Sequence, residues 1–311
     1  MPFPTGADAQ TAKIWMNGKI IPWADANIHV MTHALHYGSG VFEGIRAYET
    51  AKGPAIFRLE EHLARFDLSA KVYHMEYPFT RDEIREGIKA VVRENGLRSA
   101  YIRPIAFVGY GRLGVMPIGL PIEIAIGAWE WGSYLGEEAL EKGVRVALSP
   151  WRRIRPDALP VSAKACGQYL SSILGAWVIR ANGYHEALFL DDHGHVSEGS
   201  GENFFIVSDG AVYTPDSSSS ILEGITRDSV MRIARDLGYP VREKKLVMGD
   251  VFSADEAFFT GTAAEVTPIA EVENRPIGDG KPGPVTKRIQ EVYFQAVRGE
   301  TDQYAEWLTH V

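Results

Sequence analysis

The helix and strand signals of this chain follow one another in an irregular order, and this order limits the folds open to it. A capping box from Thr80 to Glu83 predicts a helix, and two apolar strands follow at 100–108 and 122–129. Further short strands, separated by turn signals such as 191–194, alternate with helices in the second half. Because no regular strand–helix–strand repeat develops, the sequence predicts an α+β fold rather than a doubly wound sheet.

The second half is expected to contain three longer helices. One begins near Thr226 and another near Pro284. The third runs from about Gln168 to Ala181, and its apolar periodicity predicts a buried stripe of Tyr169, Leu170, Ile173, Leu174 and Trp177. A glycine-bounded segment marks a predicted domain junction, which gives domains at 1–131 and 139–311 joined by a loop at 132–138.

The composition excludes several classes of partner. With 40 acidic and 32 basic residues the formal charge is −8, which argues against nucleic acid or an anionic membrane as the main partner. The single cysteine, Cys166, rules out an intrachain disulfide and fits a reducing compartment. No signal-peptide pattern and no apolar run of membrane-spanning length is visible, so a cytoplasmic protein is expected.

Lys164 is the basic side chain with the most unusual surroundings. It is the only one between Arg155 and Arg180, and small and apolar residues flank it on both sides. Burial would lower the pKa of its amine and leave a neutral nucleophile, as a Schiff base with pyridoxal 5'-phosphate (PLP) requires. The alternative is a lysine whose amine reaches water from the start of an apolar helix.

A PLP site also needs a phosphate site and a carboxylate for the pyridine nitrogen. Thr226, expected at the start of a helix, could serve the phosphate through exposed backbone N–H groups, although ordinary capping is the simpler interpretation. Glu198 lies among small residues that would admit a ring, and Glu202 fits the same description on physical grounds. Arg65 follows Glu61 by four residues, so a surface ion pair is its simplest interpretation.

Two competing signals predict other sites and are weaker. Residues 109–114 match G-x-G-x-x-G, but Pro117 and Pro121 follow, and they oppose the helix that a dinucleotide site requires. Asp191, Asp192 and His195 cluster on a predicted turn, where neighbouring side chains diverge, so no metal site is predicted.

Six ordered segments of the chain resemble the branched-chain amino acid aminotransferases, which are class IV, fold-type IV enzymes. The resemblance runs from about Ile14 to Leu308. The segments are His33–Arg46, Ala100–Pro104, Ser162–Ala165, Ser197–Asn203, Gly224–Asp228 and Thr260–Glu265. The chain departs from the family pattern at Cys166, Gln168 and Glu223, and these departures leave the implied chemistry intact.

The resemblance implies a fold, an activity and an assembly. The fold would have a smaller N-terminal α/β domain and a larger C-terminal pseudo-barrel domain carrying Lys164. The cofactor would be pyridoxal 5'-phosphate, and the reaction would move an amino group between L-leucine, L-isoleucine or L-valine and 2-oxoglutarate, giving branched-chain 2-oxo acids and L-glutamate. The protein would be a homodimer or a higher homo-oligomer such as a hexamer.

The resemblance also implies a role for each matching residue. Lys164 would form the Schiff base and then move the proton between substrate and cofactor. Glu198 would pair with the pyridine nitrogen, and Tyr169 would hydrogen-bond the ring hydroxyl oxygen. The implied cofactor-binding residues are Arg65, Lys164, Tyr169, Glu198, Leu222, Ile225, Thr226 and Thr262. The implied substrate-binding residues are Tyr37, Phe42, Gly44, Arg46, Tyr101, Arg103, Trp131, Tyr134, Thr262 and Ala263.

Other functions stay open at this point. Within the same fold, a D-amino acid or (R)-amine transaminase and an aminodeoxychorismate lyase are the main alternatives. A lyase would not need the double carboxylate recognition that Tyr37 and Arg103 would provide. A cofactor-binding protein without catalysis and an NAD oxidoreductase are alternatives from other classes.

Overall fold

The computed structural model of the chain describes residues 11–132 and 136–311. The strands are β1 Lys13–Met16, β2 Lys19–Pro22, β3 Gly40–Phe42, β4 Ile45–Thr50, β5 Gly53–Phe57, β6 Ala100–Val108, β7 Ile122–Trp129, β8 Val144–Leu148, β9 Glu186–Leu190, β10 Val196–Gly199, β11 Asn203–Ser208, β12 Ala211–Thr214, β13 Val241–Glu243, β14 Glu256–Gly261, β15 Glu265–Val272, β16 Arg275–Pro276 and β17 Leu308–His310. The α-helices are α1 His33–Tyr37, α2 Leu59–Val72, α3 Arg81–Glu94, α4 Glu137–Lys142, α5 Tyr169–Ala181, α6 Ile225–Asp236, α7 Met248–Phe252 and α8 Pro284–Val297. Short 3₁₀ helices lie at Trp23–Asp25, Cys166–Gln168 and Asp302–Trp307.

One compact unit comprises residues 11–132, 163–167 and 296–311. Its sheet has the strand order β17-β5-β4-β6-β7-β1-β2, and β3 pairs with β6. Helix α3 begins at the predicted capping box, where Thr80 Oγ1 accepts from the Glu83 N–H and the Glu83 carboxylate accepts from the Thr80 N–H. The apolar side chains on one face of this helix, Ile84, Ile88 and Val91, are fully buried. The strands predicted at 100–108 and 122–129 are confirmed at those bounds.

The other compact unit comprises residues 136–162 and 168–295 among those described. Six of its strands close into a ring in the order β10-β9-β8-β15-β14-β11, because β11 also pairs with β10. A single antiparallel pair, Glu198 with Asn203, closes this ring. Apolar side chains such as Phe204, Phe259 and Leu188 are fully buried in its core. The α+β class and the pseudo-barrel are therefore confirmed.

The predicted buried stripe of α5 is wrong. Leu170, Ile173, Leu174 and Trp177 are 66%, 57%, 49% and 76% exposed. The buried residues of this helix are Ser172, Gly175 and Ile179. A side chain at Gly175 would collide with Phe189 and Ser149, so the helix lies against the sheet through its small residues. The period of the apolar residues predicted the helix but not the side that faces the sheet.

Three smaller outcomes concern boundaries. Helix α6 begins at Ile225 with Gly224 as its cap, so Thr226 is the second residue of the helix and not its cap. The compact units place the segment 163–167, which carries Lys164, with the first unit, whereas the sequence analysis assigned it to the large domain. The predicted junction falls partly on residues 133–135, outside the described residues.

Among residues 11–132 and 136–311, no helix combines the length and the apolar character that a bilayer span needs.

Candidate active site

The Lys164 segment is held in the first unit by backbone hydrogen bonds. The Lys164 carbonyl accepts from the Phe42 N–H at 3.0 Å, and the Lys164 N–H donates to Ser69 Oγ at 2.9 Å. Val41 forms a β-bridge with Ala165 on the same segment. The Lys164 side chain is half-buried, and Nζ lies 5.0 Å from the centre of the Phe42 ring. The role of this amine as a nucleophile stays a prediction. The amine lies beside an aromatic ring, and hydrogen bonds fix the backbone of its segment.

An aromatic cluster with one guanidinium lies beside Phe42. Arg103 Cζ is 4.6 Å from the centre of the Phe42 ring, and Arg103 Nη2 donates to Tyr101 Oη at 3.0 Å. The Tyr101 ring lies 4.6 Å from that of Trp131. A Cβ at Gly44 would collide with the Tyr101 hydroxyl, so glycine is needed there. Tyr101 and Arg103, two residues apart in β6, therefore share one face of their strand.

Of the other predicted substrate residues, Arg46 pairs with Tyr101 across neighbouring strands, Tyr37 lies in α1, and one falls outside the described residues. The Tyr37 side chain is 47% exposed, and its ring lies 4.5 Å from that of His33. Arg46 is buried, with Cζ 5.0 Å from the Tyr48 ring centre. Tyr134 falls within 133–135 and is not described.

Arg65 pairs with Glu43, a residue that the sequence analysis did not single out. Arg65 Nε and Nη2 donate to the two carboxylate oxygens of Glu43 at 2.7 and 2.9 Å. His62 Nδ1 lies 2.7 Å from Glu43 Oε2. Burial alone would raise the pKa of Glu43, but the charge of Arg65 and the hydrogen bonds from Arg65 and His62 outweigh it and hold this pKa well below its usual value. The simple interpretation of Arg65 as a surface residue is wrong, since its side chain is 11% exposed, and its phosphate role stays a prediction.

The sequence did carry a signal for Glu43. It is the one charged residue between Gly38 and Ile45, a stretch of small and apolar residues. The same reasoning singled out Lys164: an isolated charge in an apolar stretch must find a partner or lose its charge. The partner, Arg65, comes from another element, so periodicity within one segment could not reveal it.

In the second unit, Glu198 lies at the pair that closes the barrel. Its Oε1 accepts from Arg153 Nη2 at 2.5 Å. Its Oε2 accepts from Asn203 Nδ2 at 3.0 Å and from the Leu222 N–H at 3.1 Å. Arg153 was not predicted, because it lies 45 positions before Glu198. This carboxylate has a cation and two neutral donors around it, which suits a group that must stay anionic near a protonated ring nitrogen.

Glu202 has the opposite surroundings, although the sequence could not separate it from Glu198. It is buried close to Glu186, and burial together with the charges of Glu186 and Glu198 raises its pKa well above the usual value. Burial also raises the pKa of Glu186. A neutral Glu202 is a poor partner for a positive ring nitrogen, and this favours Glu198 for that role.

The second unit also offers backbone donors for an anion. Helix α6 begins at Ile225 and Thr226, and its cap, Gly224, has no side chain to occupy the first N–H groups. Thr262 and Ala263 lie in the turn between β14 and β15. Tyr169 is the first residue of α5 and is half-buried. Lysine, arginine, helix N-terminus and anionic carboxylate are the donor and acceptor set that PLP needs, so the residues present fit this cofactor.

Two remaining sequence signals resolve as structural features. Burial raises the pKa of the Cys166 thiol, and Cys166 Sγ lies 3.1 Å from the position of a Cβ at Gly40, so this cysteine acts as a small packing residue. The G-x-G-x-x-G segment at 109–114 continues from β6 as a loop, and no helix begins in it. His33 Nε2 lies 2.8 Å from the carbonyl oxygen of Gly114 in that loop.

The chain is similar to proteins of known family. The profile of the amino-transferase class IV family matches residues 40–272. Branched-chain-amino-acid aminotransferases of Pseudomonas aeruginosa and Escherichia coli strain K12 are 49% and 48% identical, and each alignment covers 96% of this chain and 97% of the relative.

Solved structures agree with these sequence matches. The T.th. branched-chain amino acid aminotransferase with pyridoxamine 5'-phosphate has a TM-score of 0.94 at 54% identity, over 96% of this chain and 98% of that one. The Escherichia coli enzyme has a TM-score of 0.95 at 48% identity, over 96% and 99%. The chain therefore belongs to the class IV aminotransferases and, among them, to the branched-chain-amino-acid aminotransferases.

Proposed function

We propose that the chain is a PLP-dependent aminotransferase for L-leucine, L-isoleucine and L-valine, with 2-oxoglutarate as amino acceptor and L-glutamate as product. The relatives with this name match nearly the full chain. The T.th. relative has been solved with N-(5'-phosphopyridoxyl)-L-glutamate and also with 4-methylvaleric acid. The observation that carries the proposal is a pair of basic side chains on one apolar ring: Lys164 Nζ and the Arg103 guanidinium both lie within 5.0 Å of the Phe42 ring centre.

The two basic side chains and the cofactor ring have complementary tasks in this reaction. PLP, when bound, supplies a ring that stabilises the negative charge developing at the substrate α-carbon. The Lys164 amine would take the proton from that carbon and return it on the cofactor side. Glu198 would keep a proton on the ring nitrogen, and hydrogen bonds from Arg153, Asn203 and the Leu222 N–H orient its carboxylate for this role. Arg65, Ile225, Thr226 and Thr262 would bind the phosphate, and Tyr169 the ring hydroxyl oxygen.

The substrate side chain must be either branched and apolar or a carboxylate. Phe42, Tyr101 and Trp131 offer an apolar wall for the branched side chain. Arg103 would meet the distal carboxylate of glutamate, and Tyr101, with Thr262 and Ala263, the α-carboxylate. Tyr37, Gly44, Arg46 and Tyr134 stay proposed members of this substrate site.

A borohydride experiment tests the proposal. Protein incubated with PLP and reduced with borohydride should carry the label on the peptide of Lys164. With leucine and 2-oxoglutarate, Lys164→Ala should lower turnover by about 10³-fold or more, because no other group replaces the proton carrier. Lys281→Ala removes an exposed lysine and should leave turnover unchanged.

Other substrates decide between this reaction and its alternatives. Equal turnover with D-alanine or an (R)-amine would contradict the branched-chain assignment. A label on a lysine other than Lys164 would contradict the assignment of the amine.

We also propose a homo-oligomer, from a dimer up to a hexamer. The exposed apolar face of α5, with Leu170, Ile173, Leu174 and Trp177, supports it, because soluble monomers seldom expose a contiguous patch of this kind. Trp177→Glu should shift the sedimentation coefficient toward that of a smaller species if this face lies between subunits. The cytoplasmic location and the domain boundaries stay predictions.

A further inference from the structure

We propose that Glu43 is a positioning residue that holds the Arg65 guanidinium and, through the same helix, the Lys164 backbone in the places that cofactor binding requires. The inference rests on the proposed function, because it concerns the residues that would meet the cofactor phosphate and its aldehyde carbon. Glu43 would act through Arg65 and the Lys164 backbone and not by its own contact with the cofactor.

The Glu43 carboxylate is fully buried and surrounded by donors. Its exposed fraction is 0%, and it follows directly after strand β3. It accepts two hydrogen bonds from Arg65, one from His62 and one from the Gly44 N–H at 3.2 Å. A carboxylate with four donors is fixed in position. It fixes the guanidinium in turn, because the paired Nε and Nη2 edge sets the direction of the remaining N–H groups.

The charges around Glu43 balance locally. Burial, partly opposed by Glu43, lowers the pKa of His62, so its imidazole is neutral and its Nδ1–H donates. This leaves one anion, Glu43, and one cation, Arg65, in the buried cluster. A neutral side chain in place of Glu43 would leave the guanidinium without its countercharge, and the guanidinium would move toward water or another acceptor.

The same cluster is tied to the backbone of Lys164. His62, Arg65 and Ser69 lie on one face of α2, at spacings of three and four residues. Ser69 Oγ, fully buried, accepts from the Lys164 N–H, and the Lys164 carbonyl accepts from Phe42, the residue before Glu43. Glu43, α2 and the Lys164 segment therefore form a closed chain of contacts. A shift of α2 at Glu43 would move Arg65 and Lys164 together.

The simpler explanation is that Glu43 contributes only to folding. Glu43→Gln separates the two explanations, since glutamine keeps the size and loses the charge. We expect the dissociation constant of PLP, measured by titrating the cofactor-free protein, to rise about tenfold. We also expect the pH midpoint of the bound cofactor's visible absorbance to shift, because that absorbance reports the surroundings of the Lys164 nitrogen. Glu256→Gln is the matched control: Glu256 is buried and accepts from the Val285 and Thr286 N–H groups, so it should lower the melting temperature and change neither readout.

Further outcomes complete the test. Glu43→Gln with a lower melting temperature but an unchanged dissociation constant and pH midpoint would overturn the inference, and so would tighter binding. If Glu43→Gln does not fold, Ser69→Ala probes the other end of the contact chain, and a roughly threefold weaker binding with a shifted midpoint is expected; no change would overturn the inference. Wild-type protein that binds no PLP would refute the proposed function together with this inference, whereas wild-type binding with wild-type-like Glu43→Gln refutes the inference alone.

Discussion

Glu43 in the first unit and Glu202 in the second are both buried carboxyl groups, and their pKa values move in opposite directions. Glu43 faces Arg65 and His62, and its pKa lies below the usual value of 4.5. Glu202 faces two other acids, Glu186 and Glu198, and its pKa lies above the same value. Burial acts on both in the same direction, so the neighbouring charges decide the outcome.

This difference also separates two ways of tolerating a buried acid. Glu43 stays charged and is matched by a cation, so it stabilises the fold above pH 4.5 and loses that contribution as the pH falls through its lowered pKa. Glu202 keeps its proton, so its contribution is lost as the pH rises from 4.5 through its raised pKa. Glu198, which has Arg153 beside it, belongs with Glu43 by its contacts.

Replacement of Arg65, the cation beside Glu43, should change the free energy of unfolding more than any other substitution in this comparison. Arg65→Met leaves Glu43 as an uncompensated buried charge and should lower the free energy of unfolding by about 3–5 kcal/mol at pH 7. Urea unfolding of the cofactor-free protein measures it. Arg85→Met, which breaks exposed pairs with Glu60 and Asp82, should cost less than about 1 kcal/mol. Equal losses in the two variants would show that the Glu43 pair is not special.

Glu202→Gln should raise the free energy of unfolding relative to wild type as the pH rises, and this change should be smaller than the loss caused by Arg65→Met. The contribution of Glu202 to wild-type stability falls as the pH rises above 4.5, because the folded state keeps a proton that the unfolded state releases. The limiting slope is about 1.4 kcal/mol per pH unit for one such group, and the variant lacks it. Thermal melts from pH 4 to 8 should show Glu202→Gln gaining relative to wild type as the pH rises. The melting temperature of Glu76→Gln, a substitution at an exposed position, should change with pH as that of wild type does. The same result for Glu202→Gln would show that Glu202 is ionised in the folded protein and would contradict the prediction.

His62→Gln should give the smallest effect. Burial lowers the pKa of His62 below 6.5, so the unfolded state binds the proton first and stability is lost as the pH falls from 6.5 through the lowered pKa. The stability of the variant should lack this pH dependence. At pH 7 its free energy of unfolding should be about 1 kcal/mol lower than that of wild type, because the hydrogen bond to Glu43 is lost. Titration of the His62 ring by NMR checks the cause directly. A His62 midpoint at or above 6.5 would contradict it.

Helices α3 and α5 show how far the sequence can predict the fold. Helix α3 was predicted from a capping box and α5 from apolar periodicity, and both exist. In α3 the apolar face is buried, whereas in α5 the small residues Ser172 and Gly175 face the sheet and Trp177 is exposed. Periodicity gives the angle between residues, but the closeness of the neighbouring sheet decides which side fits. That distance depends on long-range packing and is not encoded in one segment.

The candidate site divides in the same way. Lys164, Glu198 and the pair of Tyr101 and Arg103 could be selected from local patterns or from the family resemblance. The partners of the charged groups could not: Arg153 lies 45 positions from Glu198, and Arg65 lies 22 from Glu43. Charges that are isolated in the sequence are therefore good predictors of where a site lies and poor predictors of what completes it.

The barrel of the second unit is joined at a single rung, and Glu198 is half of that rung. The barrel is therefore closed most weakly at Glu198, the acid that is proposed to bind the pyridine nitrogen of the cofactor. A molecule that binds Glu198 inside the barrel would stabilise the pairing of β10 with β11. Amide protons of β10 and β11 should then exchange more slowly with solvent in the loaded protein than in the empty one, and more so than those of β12 and β13.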